Sequence, residues 1–290
     1  MVAIGPIISA DCHIDLIWLP PDLFTGNARS SLKDRMPFVK ETDEGPAWVS
    51  EKGSYFGLQN GMGSAGRKYV PGEIHRSDRM AAQGLYDDGK KGIRRLTEPG
   101  LRVKDQDLDG VRGEVLYGIL GAAERLQDPE AAVEMMRIYN EWLAVFCAAS
   151  PDRFAGIASI PGSDIDAAVK EVKRVSKRGI LKGIEIPSTT DAKALYHEHW
   201  TPLWEIAEEA GLPVHFHTIG GPRPDFESMA KNEARKAFAV FITGFQLNMA
   251  EKLMEVIYGG LLESYKNLTI VIGESGIGWA RHTRSGRCLS

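Results

Sequence analysis

After Arg102 the chain alternates regularly between short runs of β-branched residues and longer segments whose apolar residues recur at helical spacing. With one further run near the N-terminus, the predicted strands are Ile7–His13, Gly113–Tyr117, Phe154–Ile160, Gly179–Pro187, Pro213–Thr218 and Leu268–Gly273. The predicted helices are Pro129–Ala149, Asp164–Val175, Trp200–Ala210 and Lys236–Gly259. This alternation predicts a parallel sheet, and strands that are apolar on both faces predict helices packed outside it.

The length of the chain, 290 residues, suits one domain of this type. A (β/α)8 TIM barrel typically takes about 250 residues. Neither an internal repeat nor a low-complexity linker marks a domain boundary. We therefore predict a single α/β domain over residues 1–290 with the TIM-barrel fold, of which six βα units can be read in the sequence.

A segment of different character, residues 22–96, separates the first predicted strand from the alternating region. It is rich in Gly, Pro and Ser, has little periodicity, and includes the run GSYFGLQNGMGSAG. We predict a long loop inserted after strand one. Since structureless loops of such length in compact enzymes are usually functional, we expect it to cover the active-site face.

The composition is that of an ordinary soluble protein, with 43% hydrophobic residues, 26% charged residues and a net charge of −4. The chain lacks the basic excess of a nucleic-acid-binding surface, so we expect a small-molecule substrate and no nucleic acid. No apolar run approaches the roughly 18 residues of a membrane span, and the N-terminus does not resemble a signal peptide. We expect no membrane association and a cytoplasmic location. Cys12, Cys147 and Cys288 are far apart and odd in number, which favours free thiols.

The end of the first predicted strand supplies the first candidate metal ligands. Residues two apart in a strand share a face, so Asp11 and His13 in SADCHID point to the same side. Carboxylate and imidazole groups both bind Zn²⁺. Taken alone, the pair favours a structural role, with Asp11 capping a turn and His13 satisfied by hydrogen bonds.

The run PVHFHT places two further histidines on one face of a predicted strand. His217 lies nearer the carboxyl end of that strand, where barrel enzymes carry their active sites, and is the third candidate ligand. His215 lies deeper, where a hydrogen-bonded core histidine is at least as consistent with the pattern as support of a ligand. We leave His215 out of the metal shell.

Glu274 follows the last predicted strand, in phase with Ile270 and Ile272. A carboxylate at this position can serve as metal ligand, general base or general acid, and a solvated loop acid is an equally open interpretation. Glu185 in GIEIP fits an internal ion pair better than catalysis.

The other histidines and the absent motifs narrow the chemistry. His197 and His199 precede a helix in a polar segment and are typical of a surface, while His75 and His282 have no suitable neighbours in sequence. The sequence contains no GxSxG, P-loop or Rossmann glycine pattern, so a serine hydrolase, an NTPase and a nicotinamide enzyme are not favoured.

Several blocks, in order, resemble the amidohydrolase-related family of metal-dependent hydrolases and decarboxylases. These blocks are SADCHID, WLPPDLF, RVKDQDLDGVRGEVLYG, YNEWLAVFCAASPDRFAGIASIP, PLWEIAEEAGLPVHFH and NLTIVIGESGIGW. That family includes aminocarboxymuconate-semialdehyde, γ-resorcylate and 5-carboxyvanillate decarboxylases. The resemblance extends from about Ile8 to Trp279 and is loosest over residues 22–96.

The resemblance implies a site with one divalent metal, Zn²⁺ in preference to Mn²⁺. Asp11, His13 and His217 match the family's metal ligands, and Glu274 is then the catalytic residue that transfers protons. Asp11 departs from the histidine or glutamate usual at the first position. Glu274 stands where the family's decarboxylases usually carry a histidine in an HGG-like turn, which weakens the case for decarboxylase chemistry.

The C-terminal end departs further from the family. Relatives continue past Trp279 with two more βα units and an aspartate ligand on strand eight, whereas this chain ends in ARHTRSGRCLS. We predict that the last two βα units are lacking and that residues 280–290 are an atypical tail.

Two hypotheses about function follow. In the first, the protein is a mononuclear-metal-dependent hydrolase or decarboxylase of a small carboxylated aromatic or enol-like substrate. In the alternative, the chain is a catalytically inactive truncated barrel that acts only as a subunit or is a non-functional fragment. A homodimer is expected by analogy with the family alone.

Overall fold

A computed structural model of the chain describes residues 5–187, 193–217 and 228–275. Its strands are β1 (Ile7–His13), β2 (Phe38–Thr42), β3 (Gly45–Val49), β4 (Tyr55–Leu58), β5 (Val111–Tyr117), β6 (Phe154–Ser159), β7 (Gly183–Glu185), β8 (Val214–Phe216) and β9 (Ile270–Ile272). Its α-helices are α1 (Leu23–Asn27), α2 (His75–Ala82), α3 (Leu85–Lys90), α4 (Pro99–Asp109), α5 (Leu120–Arg125), α6 (Pro129–Ala148), α7 (Ile165–Arg178), α8 (Thr201–Ala210), α9 (Lys231–Tyr258) and α10 (Leu261–Ser264). None of these helices is long and apolar enough to cross a membrane.

The chain forms two compact units. Unit 1 comprises residues 1–160 and 174–183, and unit 2 comprises residues 161–173 and 184–290. The boundary therefore passes through α7 and directly after the first residue of β7.

The core of unit 1 is a parallel sheet in the order β1-β5-β6. Helix α6 packs on β6, and Gly156 permits the close approach because an added Cβ would lie 2.8 Å from Cys147 Sγ. The helix begins where Asp128 accepts a hydrogen bond from the Ala131 amide and Pro129 occupies the first turn, both typical start signals.

The prediction of a long loop over residues 22–96 is wrong in its local structure. The segment contains α1, α2, α3 and an antiparallel sheet in the order β2-β3-β4. Its strands are only four or five residues long. Gly45 at the start of β3 and Gly53 in the turn before β4 have positive φ, so no run is long enough to show a clear strand period. Whether the segment covers an active-site face stays a prediction.

The two ends of this inserted segment are joined. The Thr97 hydroxyl donates a buried hydrogen bond of 2.7 Å to the Trp18 carbonyl oxygen. The Asn60 amide, from the middle of the segment, donates to the Ile17 carbonyl oxygen at 2.9 Å. The inserted segment therefore begins and ends at neighbouring positions, beside Trp18 and Thr97.

Unit 2 contains a parallel sheet in the order β7-β8-β9. Its core includes Trp200, Trp204 and Phe216, each at most 2% exposed. Helix α8 ends at Gly211, which adopts the left-handed conformation that glycine tolerates best. The next strand, β8, follows after two residues.

The predicted alternation of strands and helices is confirmed. All six predicted strands and all four predicted helices are present, and β1 has the bounds that the sequence predicted. Cys12 and Cys147 are free thiols, as expected, and burial raises the pKa of Cys147 to about 12. Thr218, Trp279, His282, Cys288 and the tail 280–290 lie outside the described residues.

Candidate functional site

The described residues that could hold a metal ion are Asp11, His13, His217 and Glu274, two in each unit. In unit 1, Asp11 and His13 lie on one side of β1, as the strand period predicted. Asp11 Oδ1 and His13 Nε2 are 3.1 Å apart, and each side chain is 37% exposed. The two donor atoms are therefore close enough to share a ligand and still accessible to one.

The pairing of β1 with β5 fixes the position of His13. His13 is the register partner of Tyr117, and the ladder continues one step further because the Ile14 amide donates to the Tyr117 carbonyl oxygen at 3.0 Å. The imidazole also lies beside the buried Tyr117 ring, with 5.9 Å between ring centroids. The end of β1 that carries His13 is thus held by backbone and side-chain contacts.

In unit 2, His217 and Glu274 follow neighbouring strands. His217 comes directly after β8 and is 5% exposed, whereas Glu274 follows β9 and is exposed. Phe216 pairs with Ile272, and the Gly273 amide donates to the Phe216 carbonyl oxygen at 2.8 Å. Both candidate residues therefore lie at the carboxyl ends of paired parallel strands.

Glu274 has an unusual backbone conformation, with φ at +49°. Non-glycine residues in this left-handed region are strained, and such strain persists where the surrounding structure enforces it, often at functional sites. The conformation is an independent reason to regard Glu274 as a functional candidate.

His215 occupies the buried position that the sequence indicated. It is 7% exposed, and burial first, then the charge of His217, lowers its pKa to about 4, so the imidazole is neutral at pH 7. Its register partner on β7 is Glu185, which is also buried. The role of Glu185 as an ion-pair partner stays a prediction.

Sequence reasoning missed Asp15, two residues beyond His13. Burial raises the pKa of its carboxyl group, and the charges of His13, Arg102 and Arg125 oppose that rise. The period of two that joins Asp11 to His13 continues to Asp15, so the signal was present in DCHID. Asp15 begins a 3-10 turn directly after β1, which the strand pattern did not extend to.

A cavity of about 290 Å³ lies in unit 1. Its wall includes Asp15, the rings of Trp18 and Tyr86, and the side chains of Arg67, Arg76 and Met80. Small-molecule sites typically combine apolar and aromatic walls with a few charged groups, and this volume is near their lower limit. The inserted segment supplies most of the residues that line the cavity.

Among the described residues, His75, His197 and His199 lie outside the candidate donor group. His197 Nδ1 accepts a hydrogen bond from the His199 amide in the turn before α8, where His197 is exposed and His199 is half-buried. His75 is exposed at the start of α2. The exposure of His197 agrees with the surface role that the sequence indicated for it.

A family described as amidohydrolase matches residues 11–287. The chain belongs to the amidohydrolase family. This match begins at the first candidate ligand, Asp11, and confirms the resemblance inferred from the sequence blocks.

The curated relatives that the chain resembles include decarboxylases. The chain is 28% identical over 205 residues to γ-resorcylate decarboxylase of Rhodococcus jostii, a match that covers 67% of this chain and 61% of the relative. Among the curated relatives that it matches, the chain spans 48 to 61% of their length.

Solved amidohydrolase structures show the fold. An amidohydrolase of Mycobacterium avium subsp. paratuberculosis superimposes with a TM-score of 0.67 at 17% identity, covering 97% of this chain and 75% of that one. A 5-carboxyvanillate decarboxylase of Novosphingobium aromaticivorans, solved with bound manganese, gives 0.55 at 25% identity, covering 71% and 63%. With the parallel strands of both units, these likenesses support an α/β fold of the TIM-barrel type.

Proposed function

We propose that this amidohydrolase is a metal-dependent carboxy-lyase that removes CO₂ from a small carboxylated aromatic acid. The observation that carries the proposal is the Asp11–His13 pair at the carboxyl end of β1, in a family whose named relatives are decarboxylases. The cavity of unit 1 would receive the substrate.

The donor set fits one divalent cation. Asp11, His13 and His217 offer one carboxylate and two imidazoles, a set that both Zn²⁺ and Mn²⁺ accept. We expect Zn²⁺, and the manganese in the 5-carboxyvanillate decarboxylase structure makes Mn²⁺ the second metal to test. The bound cation would supply Lewis-acid polarisation of substrate oxygens.

The chain's own residues would orient the substrate and move the proton. Arg67 and Arg76 would bind a carboxylate or phenolate oxygen, and Trp18 and Tyr86 would pack against the ring. When the bond between ring carbon and carboxylate breaks, its electron pair stays on the ring carbon and CO₂ departs. Glu274 would then pass a proton from water to that carbon.

A hydrolase is the second candidate. Glu274 stands where the family's decarboxylases usually carry a histidine, and a glutamate can take a proton from an attacking water. In this version the same donor set and cavity serve a substrate with a hydrolysable bond.

Metal analysis tests the donor set. Purified protein is expected to hold one Zn²⁺ or Mn²⁺ per chain, and His13→Ala or His217→Ala should lose it. His197→Ala is the matched control, because this exposed histidine lies outside the donor set. A wild-type protein without bound metal would favour the catalytically inactive alternative, and a metal retained in both variants would show that these histidines do not hold it.

A CO₂ assay distinguishes the two chemistries. Metal-loaded protein is incubated with hydroxylated benzoates, and release of CO₂ with formation of the corresponding phenol is expected. Bond cleavage without CO₂, observed with ester or amide substrates, would reject the carboxy-lyase and support the hydrolase.

A further inference from the structure

We propose that Arg102 is a positioning residue of this site, holding the end of β1 that bears His13 and one wall of the unit 1 cavity in a fixed arrangement. Its consequence for metal binding rests on the proposed function. The contacts from which it is argued all lie in unit 1.

Arg102 projects from α4 and is 7% exposed. One guanidinium nitrogen, Nη1, donates both to the His13 carbonyl oxygen at 3.3 Å and to the Leu96 carbonyl oxygen at 3.0 Å. Leu96 lines the cavity. A single nitrogen therefore joins the last residue of β1 to the cavity wall.

The other side of the guanidinium is held by β5. Arg102 Nε donates to Glu114 Oε2 at 2.7 Å, and the two side chains are 8% and 12% exposed. Cys12 Sγ on β1 in turn donates a hydrogen bond of 3.5 Å to Glu114 Oε1. The ion pair is shielded from water, so it is screened less than a surface pair and fixes the direction of the guanidinium.

Only arginine can make this set of contacts. Its planar group presents donors in a fixed fork, whereas the lysine ammonium is a single point on a flexible stem. Lysine at position 102 would keep the positive charge beside Glu114 but could not reach the His13 and Leu96 carbonyl oxygens at once. Arg102→Lys therefore removes the contacts that hold His13 and Leu96 while keeping the positive charge.

Arg153 provides a matched control within the same unit. It is also largely buried, with a side chain 12% exposed, and Nη2 donates to Asp107 Oδ1 at 2.8 Å and to the Val111 carbonyl oxygen at 3.1 Å. These contacts lie at the amino end of β5, the opposite end from His13. Arg153→Lys should therefore cost comparable stability without moving the candidate site.

Hydrogen exchange of the metal-free protein tests the positioning directly. Arg102→Lys should accelerate exchange about tenfold or more in peptides covering residues 11–19 and 93–98, because local opening becomes easier there. Arg153→Lys should leave both segments unchanged. Wild-type exchange in both segments of Arg102→Lys, or equal acceleration by Arg153→Lys, would overturn the proposal.

Metal affinity tests the consequence for the site. Loss of a group that orients a ligand typically weakens metal binding about 10- to 100-fold, so Arg102→Lys should shift the Mn²⁺ dissociation constant by this factor in a chelator competition. Arg153→Lys should leave it within about twofold. If wild-type protein binds no metal, the proposed function fails, and the exchange experiment alone decides the role of Arg102.

A second variant covers the case in which Arg102→Lys does not fold. Glu114→Gln keeps Arg102 and one hydrogen-bond acceptor but removes the charge that orients the guanidinium. It should accelerate exchange in the same two segments by a smaller factor, about threefold. Unchanged exchange there in a folded Glu114→Gln protein would count against Arg102 as the positioning residue.

Discussion

Arg35 binds both carboxylate oxygens of Asp128, a residue 93 positions away in the sequence. Nε donates to Oδ2 at 2.9 Å, and Nη2 donates to Oδ1. The same carboxylate caps α6 through the Ala131 amide, and Lys52 Nζ lies 3.1 Å from Oδ2. One side chain therefore joins the inserted segment to the first turn of the longest helix of unit 1.

Two substitutions separate the cap from the ion pairs. Asp128→Asn keeps a good N-cap but loses the charge, whereas Asp128→Ala loses both. Asp128→Ala should be less stable than Asp128→Asn by about 1 kcal/mol, the usual value of a cap, in urea unfolding at pH 7. Equal stabilities would show that the cap contributes nothing.

The ion pairs of Asp128 predict a dependence on pH. Hydrogen bonds from Arg35, opposed by burial, hold the pKa of Asp128 well below its ordinary value of 3.8. As the pH falls below about 5, the unfolded chain takes up a proton at this carboxyl group before the folded chain does, so the folded state loses stability. The stability difference between wild type and Asp128→Asn should be constant from pH 6 to 8 and should shrink towards pH 3. A difference that grows at low pH would contradict the assignment.

Strand β4 should tolerate no side chain at Gly57. A Cβ built there would lie 2.3 Å from the Ala65 carbonyl oxygen and 2.6 Å from Gly66 Cα, both backbone atoms, and φ is +122°. Gly45 has a similar φ of +119° but open space around it. Gly57→Ala should therefore be less stable than Gly45→Ala by about 2 kcal/mol in the same unfolding assay, because only it adds a steric clash. Equal losses would mean that backbone conformation alone matters.

The left-handed backbone of Glu274 predicts two substitutions that differ in stability but lose the same activity. Glycine relieves a left-handed φ, so Glu274→Gly should be more stable than Glu274→Ala by about 1 kcal/mol. Both variants should lose proton-transfer activity. Gln127, with φ of +55°, is the control, since Gln127→Gly and Gln127→Ala should show the same stability difference with full activity.

The cavity predicts which arginines recognise an acid. Arg67→Gln and Arg76→Gln should each raise KM for a carboxylate substrate by about tenfold or more, the expected loss for a charge-assisted hydrogen bond. Binding of the neutral methyl ester should change less. Arg79→Gln is the control, because Arg79 lies on α2 but outside the cavity wall. If Arg79→Gln raises KM as much, the effect reflects net charge and not recognition.

The elements that the sequence predicted well are those whose signal is local. The period of two in β1 placed Asp11 and His13 on one side, and the two side chains are in contact. The predicted strand over residues 179–187 is shorter in the structure, Gly183–Glu185. Gly179, at positive φ, ends α7, and Leu181 packs beside Gly156 before the strand begins.

What the sequence could not predict depends on contacts between distant residues. The Arg35–Asp128 pair joins the inserted segment to a residue 93 positions away, and no local pattern predicts such a contact. The burial of Asp15 and the cavity beside it follow from how residues 61–96 fold back over Trp18. Local propensity carries no information about such a fold-back.

The hydrogen bond between Thr97 and Trp18 has a consequence for how this domain can diversify. The two ends of the inserted segment are joined by one buried hydrogen bond of 2.7 Å. We expect that a segment whose ends are joined in this way can be replaced as a unit without changing the pairing of β1 with β5. Exchanging this segment between relatives while keeping Trp18 and Thr97 is thus a practical way to test whether it sets substrate choice.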